Sequence, residues 1–164
     1  MADEKLQSDM GRRLLQLGIV LFLLGLLTGF AVPATANPRM ALASHVEAVM
    51  NGIFLLVIGA IWQRLRLGVR AQRIAVWLLA YGTFANWGTT LLAAIWGAGE
   101  PMMPLAAGGY VGTAAQEALI AFGLISLSVA MVVVCPLLLW GLRSSKGQVS
   151  TRRGVKIGES RPRQ

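Results

Sequence analysis

The sequence predicts an all-α integral membrane protein, a bundle of four transmembrane helices with both termini in the cytoplasm. Three observations lead there. Hydrophobic residues make up 55% of the 164 positions and charged residues 13%, whereas a soluble domain carries about a quarter charged residues. The apolar residues are gathered into four blocks, 14–32, 41–62, 74–96 and 118–142. Finally, fourteen of the fifteen Lys and Arg fall to one side of those blocks.

Each block is long enough to cross a membrane, because about 20 residues at a rise of about 1.5 Å span a hydrocarbon core of about 30 Å. Within lipid, a helix is the single-segment structure that satisfies every backbone amide. The first block, 14–32, follows Lys5, Arg12 and Arg13 and leads to Ala34-Thr35-Ala36, the form of a signal cleavage site. Its apolar run exceeds the roughly 7–15 residues of a signal core, so we read it as a retained helix. Pro33 and Pro38 end it, and the second helix begins near Ala41. A basic turn, 63–73, separates the second block from the third, and a Gly- and Pro-rich connection, 97–117, separates the third from the fourth, which begins near Gln116. Trp62, Trp77, Trp96 and Trp140 stand near block ends, where an indole prefers the headgroup level.

Basic residues set the orientation. Lys5, Arg12, Arg13, Arg64, Arg66, Arg70, Arg73 and the seven from Arg143 to Arg163 share one side, with Arg39 alone on the other. The positive-inside rule makes the shared side cytoplasmic, in a multi-pass protein of the bacterial inner membrane. Residues 1–142 are read as one domain and 143–164 as a basic, disordered tail lying against anionic lipid. The net charge of +8 follows from this topology and does not imply nucleic acid. Cys135 is alone, which excludes a disulfide framework and a thiolate metal site within one chain. Gly25-x-x-x-Gly29 has the spacing of a helix dimerisation face, a weak signal in glycine-rich helices.

Polar residues inside the blocks carry the functional information: His45, Glu47 and Asn51 on the second helix, and Tyr81, Asn86, Thr89 and Thr90 on the third. Each must face protein, a cofactor or water, since polar groups are costly in hydrocarbon. His45, the one histidine, has two readings: a helix-end residue bonded to a carbonyl, or an axial haem ligand, for which a single imidazole suffices. At about 100° per residue, Asn51 lies about 120° around the helix from His45 but shares a face with Glu47. If His45 and Asn51 serve one pocket, they come from different subunits. Asn51 and Asn86 stand at similar depth, able to bond directly or to line one cavity. Glu47 is expected to be solvated or to pair with Arg39, and Glu100 and Glu117 to face water.

The segment Ser44-His45-Val46-Glu47-Ala48-Val49-Met50-Asn51-Gly52, together with Phe84-Ala85-Asn86-Trp87-Gly88, resembles the hydroxylaminobenzene mutases and, through H-x5-N-G and A-N-x-G, the styrene oxide isomerases. The resemblance extends over nearly the whole chain. It implies an isomerase that turns an arylhydroxylamine, hydroxylaminobenzene, into 2-aminophenol by moving the hydroxyl from nitrogen to the ortho carbon. It further implies a homotrimer with ferric haem b, His45 as iron ligand and Asn51, with Asn86, as catalytic residues that orient the reacting atoms. Thr90 departs from the isomerase pattern, which has a pocket tyrosine there. Three other functions fit the residues alone: a haem or quinone carrier, a small transporter gated by Glu47, and an assembly subunit without a ligand.

Overall fold

The computed structural model describes residues 2–143, which are helical apart from their turns and connections. Four long helices, α1 (Ala2–Ala31), α2 (Pro38–Ile61), α3 (Val69–Trp96) and α5 (Ala114–Gly141), are joined by short links, the last of which carries the one-turn helix α4 (Pro104–Ala107). The expected basic tail lies outside the described residues.

The helices begin earlier than the apolar blocks, for reasons local to each end. α1 runs back through a segment rich in helix formers, Glu4-Lys5-Leu6-Gln7, and the Gln7 amide donates to the carbonyls of Trp62 and Leu65, both at 3.0 Å. Pro38 opens α2 instead of closing α1, since a proline at the first helical position gives up an amide that has no partner anyway. Asn37 caps α2 by accepting from the Met40 amide at 3.1 Å. Its own amide donates to the carbonyls of Ala106 and Ala107, so it also pins α4. α5 starts with a reciprocal capping box between Thr113 and Gln116, and α3 ends on Gly97 at φ 61°, a left-handed stop suited to glycine.

By length and composition, three segments can cross a membrane: 4–34, 38–64 and 114–141. α3 has the length, with 28 residues, but Tyr81, Thr83, Asn86, Thr89 and Thr90 dilute its hydropathy. The four expected spans therefore divide into three strongly apolar segments and a less apolar one on α3.

The packing is more open than a closed bundle. α1 lies along α2, α2 against α3 and α3 against α5, with a smaller contact between α1 and α3. One core cluster gathers Leu14, Leu21, Leu55, Trp62, Leu79 and Val134, and a second, beside α4, gathers Met40, Ala41, Ala93, Ala94 and Ile120. Large apolar side chains point outward on every long helix, among them Phe30, Met50, Trp77, Phe122 and Val132. That inversion of a soluble surface suits a lipid environment. Trp62, expected as an interfacial anchor, has no exposed surface and is a core residue, whereas Trp77 and Trp140 are exposed as anchors should be. Cys135 is also exposed, one residue before Pro136 inside α5.

Candidate functional site

The contact between α1 and α2 is built on small residues, spaced by seven along α1. Gly11, Gly18 and Gly25 on α1 meet Gly59, Gly52 and Ala48 on α2. At Gly52 a Cβ would stand 2.7 Å from the Phe22 amide nitrogen and 2.9 Å from the Gly18 carbonyl, so here backbone packs on backbone. His45, Gly52 and Gly59 share this seven-residue phase, and the imidazole consequently takes the next place along the seam.

There His45 Nδ1 lies 2.7 Å from the Gly25 carbonyl oxygen. A carbonyl accepts and cannot donate, so the bond fixes the proton on Nδ1 and leaves the lone pair on Nε2. Gly29 forms the other side of the notch, where a Cβ would come within 2.9 Å of Nδ1. The Gly25-x-x-x-Gly29 spacing thus makes a slot for an imidazole within the chain.

Three helices are tied together at this level. The Ser44 hydroxyl donates to the Trp87 carbonyl at 3.2 Å, the Trp87 indole donates to Thr28 Oγ1 at 3.0 Å, and Thr28 in turn donates to the Leu24 carbonyl at 2.8 Å. Sequence reasoning gave Thr28 no role and quoted Ser44 and Trp87 only as parts of motifs. Their positions beside His45 and Asn86 in those motifs are the signal that was there to follow.

On the side of α2 turned toward α3, Glu47 contacts the Thr90 hydroxyl, while its Oε2 is shielded and has no hydrogen-bond partner. The expected pairing with Arg39 is absent, because Arg39 donates to the Leu105 carbonyl at 3.2 Å in the connection before α5. Thr90 also donates to the carbonyls of Asn86 and Trp87. Asn51 and Asn86 are half-buried, and they do not bond each other. Tyr81 and Thr89 face α5, Tyr81 through a 2.7 Å bond to Ser126 and Thr89 through close packing on Gly123. Glu117, expected in water, instead accepts from the amides of Gly99 and Gly112 at 2.8 and 2.7 Å and organises the connection between α3 and α5.

His45 and Asn51 are therefore not brought together within one chain. The imidazole is held by α1, and Asn51 follows Glu47 around α2 toward α3. Two cavities of about 340 Å³ each open between α1 and α3, one near Arg13 and Arg73 and one lined by Leu17, Trp77, Tyr81 and Phe84, and neither includes His45, Asn51 or Asn86. Among the described residues no three His, Cys, Asp or Glu side chains gather as metal ligands.

The styrene oxide isomerase family matches residues 10–143, from the third turn of α1 to just past α5. The chain belongs to the styrene oxide isomerase family. It is 62% identical over 144 residues to hydroxylaminobenzene mutase HabB of Ectopseudomonas oleovorans, covering 88% of each chain. It is 46% identical over 125 residues to hydroxylaminobenzene mutase HabA of the same organism, covering 76% of this chain and 93% of that one. No solved structure matches it. The stretch shared with the styrene oxide isomerase family contains the imidazole slot, the Trp87 bridge and the Glu47–Thr90 contact.

Proposed function

We propose that this protein is a multi-pass inner-membrane isomerase that converts hydroxylaminobenzene to 2-aminophenol by intramolecular hydroxyl transfer. The observation that carries the reaction is the 62% identity to a hydroxylaminobenzene mutase over 88% of both chains. α3, with Thr83 and Thr90 fully buried among the other helices, is taken as the fourth crossing. The basic residues place both termini and residues 63–73 in the cytoplasm.

We further propose ferric haem b as cofactor, with His45 as the residue that would hold its iron. The residues fit the group: Nδ1 is committed to the Gly25 carbonyl, Nε2 retains its lone pair, and a carbonyl bonded to the far nitrogen of a ligating imidazole both orients the ring and raises its basicity. When bound, ferric haem supplies a Lewis acid for the oxygen of the N–O bond.

The chain's own residues do the remaining work. The slot between Gly25 and Gly29 holds the imidazole in one orientation. Asn51, with Asn86, has an amide free of other bonds and orients the reacting oxygen or nitrogen by hydrogen bonding. Because Asn51 lies about 120° around α2 from His45, the pocket is assembled between subunits of a homotrimer, His45 coming from one and Asn51 from its neighbour. A site embedded in lipid would exclude the water that otherwise captures the cationic ring.

Turnover of hydroxylaminobenzene by the purified protein in 18O-labelled water tests this function. The 2-aminophenol should form without label, and labelled phenol would show that free water supplies the hydroxyl.

A further inference from the structure

α1 and α3 touch less than the other neighbouring long helices do, and the space between them holds the two cavities of about 340 Å³ each. Trp77 lines both, so the two follow one another in a single groove. Its α1 wall carries Met10, Arg13 and Leu17, and its α3 wall Arg73, Trp77 and Phe84. These residues stand three, four or seven apart and so share one face of each helix. From Arg73 to Phe84 the groove extends about 16 Å along the helix, close to half the thickness of a hydrocarbon core of about 30 Å.

The two ends of the groove differ in chemistry. Nearer the starts of α1 and α3, one guanidinium from each helix lines the cavity. Among the described residues neither the Arg13 nor the Arg73 guanidinium has an ion pair or a hydrogen bond. Asp9, the one acid in the lining, accepts from Arg12 at 3.2 Å. Its charge is met by that third arginine, and the two lining guanidiniums stay uncompensated. The deeper end is walled by Leu17, Ala80, Phe84 and the ring of Tyr81, whose hydroxyl is engaged by Ser126. It offers carbon to whatever lies in it.

Resting on the topology proposed above, which sets the basic end at the cytoplasmic surface, we propose that this groove binds an anionic phospholipid of the cytoplasmic leaflet. The phosphate sits between Arg13 and Arg73, and one acyl chain runs along Leu17 and Phe84. A guanidinium fork makes two parallel bonds to phosphate oxygens, and basic pockets between membrane helices on the cytoplasmic side take such headgroups. Trp77 is 76% exposed and stands where the two ends meet, the level at which an indole joins headgroup to hydrocarbon. Charge argues against the chain's own residues 144–164 as occupant, because they carry six Lys and Arg against one Glu and are repelled by the two arginines.

The test reads tryptophan fluorescence of the full-length protein in phosphatidylcholine vesicles, since bromine atoms on an acyl chain quench an indole on contact. The vesicles contain brominated phosphatidylglycerol or brominated phosphatidylcholine at one mole fraction, and the Trp77 signal is wild type minus Trp77→Phe. We expect quenching that corresponds to an about 5- to 30-fold enrichment of phosphatidylglycerol beside Trp77, the range that one or two basic residues give for anionic lipid. Arg13→Gln combined with Arg73→Gln should lose that preference and keep the quenching by brominated phosphatidylcholine. Equal quenching of wild type by the two lipids is ordinary lipid contact and overturns the proposal. Quenching by neither means that a second copy of the chain covers the groove, and overturns it too. A preference that survives in the double variant removes the arginines from the site. A preference abolished by inorganic phosphate, but not by sodium chloride of equal ionic strength, marks a free-anion site and overturns the lipid. Should the double variant fail to accumulate, the wild-type comparison decides by itself. A protein stripped from the vesicles by alkaline carbonate overturns the membrane reading and the site together, whereas an inserted protein without preference overturns the site alone.

Discussion

Helix α2 shows its two neighbours faces of different construction. Toward α1 it presents Gly59, Gly52, Ala48 and His45, and backbone approaches backbone without side chains between. Toward α3 it presents Ser44, whose hydroxyl donates to the Trp87 carbonyl, and the half-buried Glu47. Lipid tails are as apolar as leucine, so helices in a membrane gain nothing by hiding apolar surface from each other. Close van der Waals contact and hydrogen bonds must hold them, and α2 uses the first on one side and the second on the other. The imidazole slot belongs to the glycine side and the carboxyl to the polar side. This division is why one chain cannot aim His45 and Asn51 at the same pocket.

The largest expected effect falls where the glycine seam meets the chemistry. His45→Ala should remove both the proposed haem and turnover, because the chain has no second histidine. The Soret absorbance and the product assay on the same preparation check it, and full haem with full activity in the variant would return His45 to a structural role. On the opposite face, Asn51→Ala should keep the haem and lose about 10²-fold in rate, the scale for deleting one preorganised donor to developing charge. The same two measurements separate the faces, since one variant loses the spectrum and the other retains it.

Smaller changes probe packing. Gly52→Ala puts a Cβ 2.7 Å from the Phe22 nitrogen, and backbone has no rotamer with which to yield, so we expect a stability loss of about 1–3 kcal/mol in detergent unfolding. Glu117→Gln keeps the shape but removes the charge that both loop amides bond, with an expected cost of about 1–2 kcal/mol and little change in kcat. Gly88→Ala is the control for the seam. A Cβ there meets nothing within 4 Å, and better helix propensity should leave stability equal or raised by up to about 1 kcal/mol.

Much of this could be read along the chain. The apolar blocks 14–32, 41–62, 74–96 and 118–142 each fall within or nearly within a helix, because spanning length and hydropathy are sums over neighbours in sequence. The polar residues singled out inside the second and third blocks do lie on α2 and α3, and the angular offset between His45 and Asn51 follows from helical geometry. Helix starts were less legible, since Thr113 and Asn37 act as caps through side-chain hydrogen bonds that leave no mark on hydropathy. Glu117 was read as solvated because its two partners, the amides of Gly99 and Gly112, are reached only when the connection folds back.

By itself, then, the sequence determined the lipid-adapted composition, the helical blocks, the basic asymmetry and the short list of polar residues, all of which are local properties. Tertiary structure alone decided that Gly25 and Gly29 make a slot for an imidazole, that His45 carries its proton on Nδ1, that Trp62 is buried, and that Glu47 meets Thr90 instead of Arg39. Each depends on the register between residues about 16 or more apart in the chain. A shift of one residue, about 1.5 Å of rise and 100° of turn, would give every one of these groups a different partner while leaving the pattern of apolar blocks unchanged.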